Sequence, residues 1–517
     1  MTRKGAIAVY LEPWHLDIVD FIDLKKNSGE ERRRAHDLFP ALWITDLFME
    51  RVIADEDWTL FDPYEVKDLS NKFGDEFKLA YESYEKNNSL RKQTMKAKDL
   101  WKKVLTSYFE SGSPFLCFKD AANRANPNKH VGMIHSSNLC TEIFQNTSPN
   151  EYNVRIYFNI GAMSVDFAET DDVLLADGSV KKANKVTSLD RLGVELFPDD
   201  VFENADECYK ASKVYCVEKV KVDGETAVCN LASVNLSKIN TKEDIERVAP
   251  IAVRMLDNVI DLNFYPSIKV KDTNLMSRAI GLGVMGEAEM LACKQIHFGS
   301  KEHFEFINQI MEQINFSTID SSCNLAIEKG AYPNFLGSNW ELGIFPHDNT
   351  NELNWSLTSV KTSISNWNEL KTKVKNHGVR NGYMMAIAPT SSISILVGTT
   401  QAIEPVYKRK WFEENLSGLI PVVVPKLSPE TYQYYTPAFE IDQLQVIKAA
   451  AIRQRWIDQG QSTNIFVNPE TTTGKTLNDI YTLAWQLGNK STYYLRSQSP
   501  EAKNDVEDRS MECSGCQ

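Results

Sequence analysis

Short apolar runs alternate along this chain with longer stretches in which apolar residues recur every three to four positions, and an α/β arrangement uses both periods in turn. Ala6 to Leu11 is the first run, with Val9 and Tyr10 inside it, and it stops at Pro13 as a buried strand would. From Ala41 to Val52 and from Lys96 to Ser111 the spacing predicts helices, the second ended by Gly112 and Pro114. Lys301 to Lys329 is the longest helical pattern, with Phe304, Ile307, Ile310, Met311 and Ile314 on one stripe until Gly330 stops it. Ala386 to Pro389 and Ile393 to Val397 are short apolar pieces around a Thr-Ser-Ser turn, which predicts a strand delivering a loop.

Two regions depart from this rhythm. Between Asn150 and Gly224 the pattern becomes β-like: Val154, Ile156 and Phe158 alternate with polar residues, and Asp177-Gly178 sits between apolar runs as a hairpin turn would. From Ser497 to Gln517 the chain is polar and charged without apolar periodicity, which predicts a mobile tail. The expected division is therefore 1–149, a β-rich insert over 150–224, 225–496, and a tail over 497–517.

With 517 residues, 42% of them hydrophobic and 25% charged, the chain can bury a sizeable core. A net charge of −13 argues against a broad nucleic-acid-binding face, while a single nucleotide site needs only a few donors. No run of eighteen apolar residues appears and Met1-Thr2-Arg3-Lys4-Gly5 does not open a signal peptide, so no membrane span and a cytoplasmic location are expected. Nine cysteines without a secretory signal point to reduced thiols, some with chemistry to perform, over a disulfide scaffold.

Three motifs carry candidate chemistry. Cys513-Ser514-Gly515-Cys516 places two thiols two residues apart in the tail, suited to thiol exchange; the rival reading, half of a zinc site, lacks two ligands there. Gly281-Leu282-Gly283-Val284-Met285-Gly286 matches a dinucleotide fingerprint, but Lys271 to Arg278 is not a convincing strand before it, so close backbone packing is the favoured reading. In Ser137-Asn138-Leu139-Cys140-Thr141-Glu142-Ile143, an extended backbone would project Asn138, Cys140 and Glu142 to one side. An amide, a thiol and a carboxylate facing one space can orient a polar substrate, supply a reactive sulfur and accept a proton; a buried cysteine flanked by polar residues would look the same.

Asn138-Leu139-Cys140-Thr141-Glu142-Ile143 resembles the active-site finger loop of class I ribonucleotide reductase large subunits, especially the eukaryotic-like branch. Four further segments resemble that family in the same order: Arg3 to Asp17, Ala227-Val228-Cys229-Asn230-Leu231-Ala232-Ser233, Ala388-Pro389-Thr390-Ser391-Ser392, and Thr492-Tyr493-Tyr494-Leu495-Arg496. The resemblance implies part of a ten-stranded α/β barrel with a central finger loop, and reduction of ribonucleoside diphosphates by thiyl-radical chemistry. Cys140 matches the cysteine that becomes the radical, Glu142 the base for the 3′-hydroxyl proton, and Asn138 the amide that binds the ribose. Cys229 matches one of the two reducing cysteines, and Pro389, Thr390, Ser391 and Ser392 the diphosphate loop. Tyr493 and Tyr494 match the stacked pair that relays the radical, Cys513 and Cys516 the tail pair reduced by thioredoxin or glutaredoxin, and Arg3 an effector-loop arginine.

No cofactor is expected on this chain; the resemblance implies a metal-containing small subunit that supplies the radical, and ATP or deoxynucleotide effectors on the full enzyme. The family also carries an amino-terminal portion with the second reducing cysteine. With Met1 read as a genuine start, the expectation is a split subunit whose two parts assemble. Cys140 and Cys229, close in sequence in the family, are separated here by the insert, read as a β-hairpin elaboration whose Cys208 and Cys216 are ordinary thiols.

Overall fold

A computed structural model describes residues 5–158, 163–177, 179–193, 212–415 and 418–498. Two units emerge: one built from the chain up to Asn146 and from Ala227 onward, the other from Thr147–Thr226.

Eight short strands of the larger unit, most of them apolar, follow one another through backbone hydrogen bonds. They are β1 (Ile7–Leu11), β2 (Leu38–Ile44), β3 (Phe115–Phe118), β4 (Leu231–Asn235), β5 (Gly281–Met285), β6 (Ile465–Val467), β7 (Ser491–Thr492) and β8 (Leu495–Ser497). β1 pairs β2 in parallel, β2 pairs β3 in parallel, and β3 pairs β7 antiparallel. β8 lies parallel to β6, Ile387 bridges Gln461, Leu282 donates its N–H to Met384 O, and β5 runs parallel to β4. Backbone hydrogen bonds thus link β1, β2, β3, 491–497, 460–467, 383–387, β5 and β4 into one continuous series, the wall of a mixed α/β barrel.

Helices connect and cover these strands: α1 (Asp46–Ala54), α2 (Ala97–Ser111), α3 (Lys242–Leu262), α4 (Lys301–Lys329) and α5 (Ser391–Val397). α4 has the expected bounds, because Ser300 caps its start by accepting from the His303 N–H and Gly330, at φ +85°, ends it. α2 likewise stops at Gly112, at φ +70°. α3 begins on a capping box between Thr241 and Asp244 and buries Ile245, Ala249, Val253, Leu256 and Ile260 at helical spacing. Among the described residues the two largest apolar cores lie around Phe48, Trp58, Trp101 and Tyr108 and around Leu282, Met311, Trp340 and Trp456. Each fully buried aliphatic side chain in them stabilises the fold by roughly 1.5–3 kcal/mol.

Two expectations need correction. Ala41 to Val52 is not one helix: Ala41 to Ile44 complete β2, buried throughout, and α1 starts only at Asp46, whose N–H is received by the Asp120 carboxylate. Ile393 to Val397 is helical, since the backbone of Ser391 onward closes α5 as soon as Thr390 turns at φ +54°. No helix among the described residues is long and apolar enough to cross a membrane.

The smaller unit is a three-stranded antiparallel sheet in which Glu151–Phe158 lies between Met163–Ala168 and Val214–Val222. Val154, Ile156 and Phe158 are buried on its inner face with Val173, Leu175 and Leu192. Asp172–Leu174 pairs antiparallel with Val180–Lys182; Gly178 between them lies outside the described residues. At the neck the Ser148 N–H donates to Glu225 O (3.2 Å) and the Glu225 N–H to Ser148 Oγ (2.8 Å), so the two ends of the unit are tied together.

Candidate active site

The segment from Ile134 to Asn146 has no regular structure of its own and is held by side chains around it. Its tip is not extended, as alternation would have it. Asn138 Oδ1 accepts the N–H groups of Glu142 and Ile143 (both 3.1 Å), the Thr141 N–H donates to Asn138 O (3.3 Å), and Thr141 sits at φ +62°. Asn138 therefore spends its amide oxygen on closing a turn, in the manner of asparagine side chains in loops generally. The turn still gathers the expected groups.

Cys140 sits under the tyrosine pair. The Tyr493 hydroxyl donates to Cys140 Sγ at 3.3 Å, and the Tyr493 and Tyr494 rings lie 4.3 Å apart between centroids. Tyr493 is fully buried, packed on Phe115 at 4.9 Å. Tyr494 lines a cavity of about 410 Å³ whose walls include Lys25, His36, Glu110 and Arg496. Adjacent residues on a regular strand point apart. Here the ladder breaks between β7 and β8, and both rings turn to the same path.

Glu142 is buried and pushed up to about 7, chiefly by loss of water, with hydrogen bonds from Asn138, its own backbone and Ser462 opposing. Cys229, just ahead of β4, is a free thiol on an exposed residue. Desolvation pushes its thiol up to about 11, Glu142 adds to the rise, and a hydrogen bond with Asn138 works against it. Asn138, Glu142 and Cys229 thus border one space.

Pro389, Thr390, Ser391 and Ser392 come just after Ile387, which bridges Gln461, and Ser391 opens α5. Thr390 Oγ1 accepts the Ala402 N–H (2.8 Å), which pins the loop and leaves the hydroxyl proton available to a ligand. Gly281 and Gly283 do not form a dinucleotide loop. They lie within β5 instead of after it, the segment before them is the helix Ile268–Ser277, and a Cβ on Gly283 would collide with Ala386 O. Arg3, Cys208, Cys513 and Cys516 lie outside the described residues. Among the described residues no group of three or more His, Cys, Asp or Glu is placed to hold a metal ion.

Sequence reasoning passed over the groups that hold the finger loop. Gln459 to Asn464 is a wholly polar stretch apart from its glycine, yet it is buried, and it supports the loop from behind. The Gly460 N–H donates to Glu142 O (2.8 Å), Ser462 Oγ to Cys140 O (2.5 Å), and Ser491 Oγ to Thr141 O (2.8 Å). Tyr10 of β1 adds a bond from its hydroxyl to Asn138 O (2.8 Å). A polar run of this kind reads as a surface loop, and only the density of amides next to a buried strand hints otherwise.

A family model described as "Ribonucleotide reductase, barrel domain" matches residues 1–495. The chain is 61% identical to the ribonucleoside-diphosphate reductase subunit alpha of Helicobacter pylori strain J99, over 100% of this chain and 64% of that protein. It is 38% identical to the subunit alpha of Treponema pallidum, over 96% of this chain and 53% of the relative. Against the ribonucleoside-diphosphate reductase large chain of Cryptosporidium parvum the identity is 33%, over 96% of this chain and 56% of that one. The chain thus spans less than two thirds of the length of these relatives.

Proposed function

This chain belongs to the ribonucleotide reductase barrel-domain family, and from that premise we propose that it is the catalytic portion of a class I ribonucleoside-diphosphate reductase, turning ribonucleotides into deoxyribonucleotides by thiyl-radical chemistry. The observation that carries the reading is the contact of the Tyr493 hydroxyl with Cys140 Sγ, 3.3 Å, in a loop that also holds Glu142 and faces Cys229.

In this reading Tyr494 and then Tyr493 lose an electron and a proton in turn, and Cys140 ends as the sulfur radical that removes the 3′ hydrogen of the ribose. Glu142, poised near neutrality by burial, takes the 3′-hydroxyl proton. Asn138, whose side chain also bonds Glu142 and Cys229, turns an amide N–H to the sugar when substrate binds, its oxygen being engaged in the turn. Cys229 reduces the 2′ carbon together with a cysteine from the remainder of the large subunit, and the two close a disulfide. Thr390, Ser391 and Ser392 give hydroxyls and backbone N–H groups to the diphosphate, a donor set that needs no positive charge. Cys513 and Cys516 then reduce the Cys229 disulfide and are themselves reduced by thioredoxin or glutaredoxin. Between Tyr494 and Cys513 an extended chain covers roughly 60 Å at about 3.3 Å per residue, enough to reach both partners.

The partners implied are the rest of the large subunit, with Arg3 at its effector loop, and a small subunit whose metal site supplies the radical. The test is reduction of cytidine diphosphate by the full-length large subunit with its small subunit and a dithiol. Wild type turns over and Cys140→Ser does not, although both bind the nucleotide. Multiple turnovers by Cys140→Ser would refute the assignment.

A further inference from the structure

Three successive carbonyls of the finger loop, those of Cys140, Thr141 and Glu142, are held from behind by Ser462 Oγ, Ser491 Oγ and the Gly460 N–H. Of these three donors, Ser462 also touches a group that changes charge. Its Oγ lies 2.5 Å from Cys140 O and 3.1 Å from Glu142 Oε2, and it is fully buried. A hydroxyl has one proton to donate and can accept as well. With Glu142 ionised, Ser462 has two acceptors in reach and can satisfy one, and the charged carboxylate makes the stronger bond. With Glu142 protonated, the acid donates to Ser462 Oγ and the serine proton goes to the Cys140 carbonyl, so all three groups are satisfied.

We propose that Ser462 is a positioning residue that transmits the protonation state of Glu142 to the backbone of Cys140, gripping the Cys140 carbonyl when Glu142 carries a proton and releasing it when Glu142 is ionised. The inference rests on the roles given above to Cys140 and Glu142. Its consequence is that proton uptake from the substrate and the seating of Cys140 Sγ against Tyr493 are one event. Among the described residues, the titratable groups that act on Glu142 are Cys229 ahead of β4 and Tyr10 from β1. Neither carries a positive charge, so a neutral donor such as Ser462 has a measurable share in holding the carboxylate.

The test uses Ser462→Ala and Ser462→Thr in the full-length large subunit with its small subunit. Loss of the hydroxyl removes a bond that favours the carboxylate, so in Ser462→Ala the acidic limb of the pH profile of kcat moves to higher pH by about one unit. The plateau kcat falls about tenfold with KM unchanged, and Ser462→Thr restores both limb and plateau. A second readout needs no turnover: infrared titration of chain carrying 13C-labelled glutamate, with Glu142→Gln identifying the band, moves its midpoint upward in Ser462→Ala. A lowered rate with an unmoved limb and an unmoved infrared midpoint overturns the proposal, as does Ser462→Thr behaving like Ser462→Ala. If wild type itself fails to reduce cytidine diphosphate, the functional reading falls, and the infrared midpoint still decides the coupling. Should Ser462→Ala not fold, Ser462→Cys, a weaker donor of similar size, must show a smaller upward move, and no move overturns the proposal.

Discussion

Burial holds Glu142 near neutrality with hydrogen bonds as the opposing influence, so around pH 7 it populates both the form that accepts a proton and the form that can give it back. The carboxylate is the active form of a base, and turnover should therefore rise with pH through about 7. Glu142→Gln should remove that limb and lower kcat by roughly 10²–10⁴-fold, the usual worth of a positioned base. Stability should move the other way. The group is raised from an ordinary 4.5 to about 7, so below pH 4.5 both folded and unfolded chains are protonated there. Between those values the unfolded chain ionises first and the fold loses stability as pH rises. Glu142→Gln should match wild type in urea denaturation at pH 4 and exceed it at pH 8, by at most on the order of 3 kcal/mol. Equal midpoints at pH 8 would show that burial does not strain this carboxyl. Tyr493→Phe, which keeps the ring against Phe115 and deletes the hydroxyl on Cys140 Sγ, should leave the melting temperature within a degree or two and stop turnover. A Tyr493→Phe enzyme with the wild-type rate would make the tyrosine a core residue.

At the level of elements, helices were legible wherever a cap and a stop bracket an apolar stripe, as at Ser300 and Gly330 around α4. Ala41 to Val52 was misread because an apolar strand buried on both faces and the first turn of a helix carry the same composition. The finger loop was misread in shape because Asn138 bonds its own backbone, a choice that period-two alternation does not encode. That Asn138, Cys140 and Glu142 gather in one loop was legible, but the supports at 459–464 and Ser491 were not, since they come from distant segments. The glycines of β5 show the same limit. Gly283 exists for close approach: a Cβ there would strike Ala386 O and lie 3.0 Å from the Ile387 Cα, backbone that cannot step aside. Gly283→Ala should lower stability by about 1–3 kcal/mol in urea titration, and wild type should show no binding of NADH or NADPH. Saturable dinucleotide binding lost in Gly283→Ala would reverse that reading.

For the molecule as a whole, the electron supply offers the sharpest division. If the proposed function holds, Cys513→Ser with Cys516→Ser should block turnover driven by thioredoxin or glutaredoxin and spare much of that driven by a small dithiol, which would reach a Cys229 disulfide directly. A parallel loss in both assays, with about one zinc per wild-type chain, would instead identify a metal role for the tail. The unit over Thr147–Thr226 has its own buried cluster and its ends joined at Ser148 and Glu225. Such a tie alters the arithmetic of chain connectivity. An unstructured excursion of that length would charge the barrel a loop-closure entropy that grows with the logarithm of its length. An excursion that zips its own mouth shut presents the barrel with a stitch a few residues long, whatever lies beyond it. With Ser148 and Glu225 joined, the length of chain beyond them adds little to the closure cost borne by the segment that runs from the finger loop to Cys229.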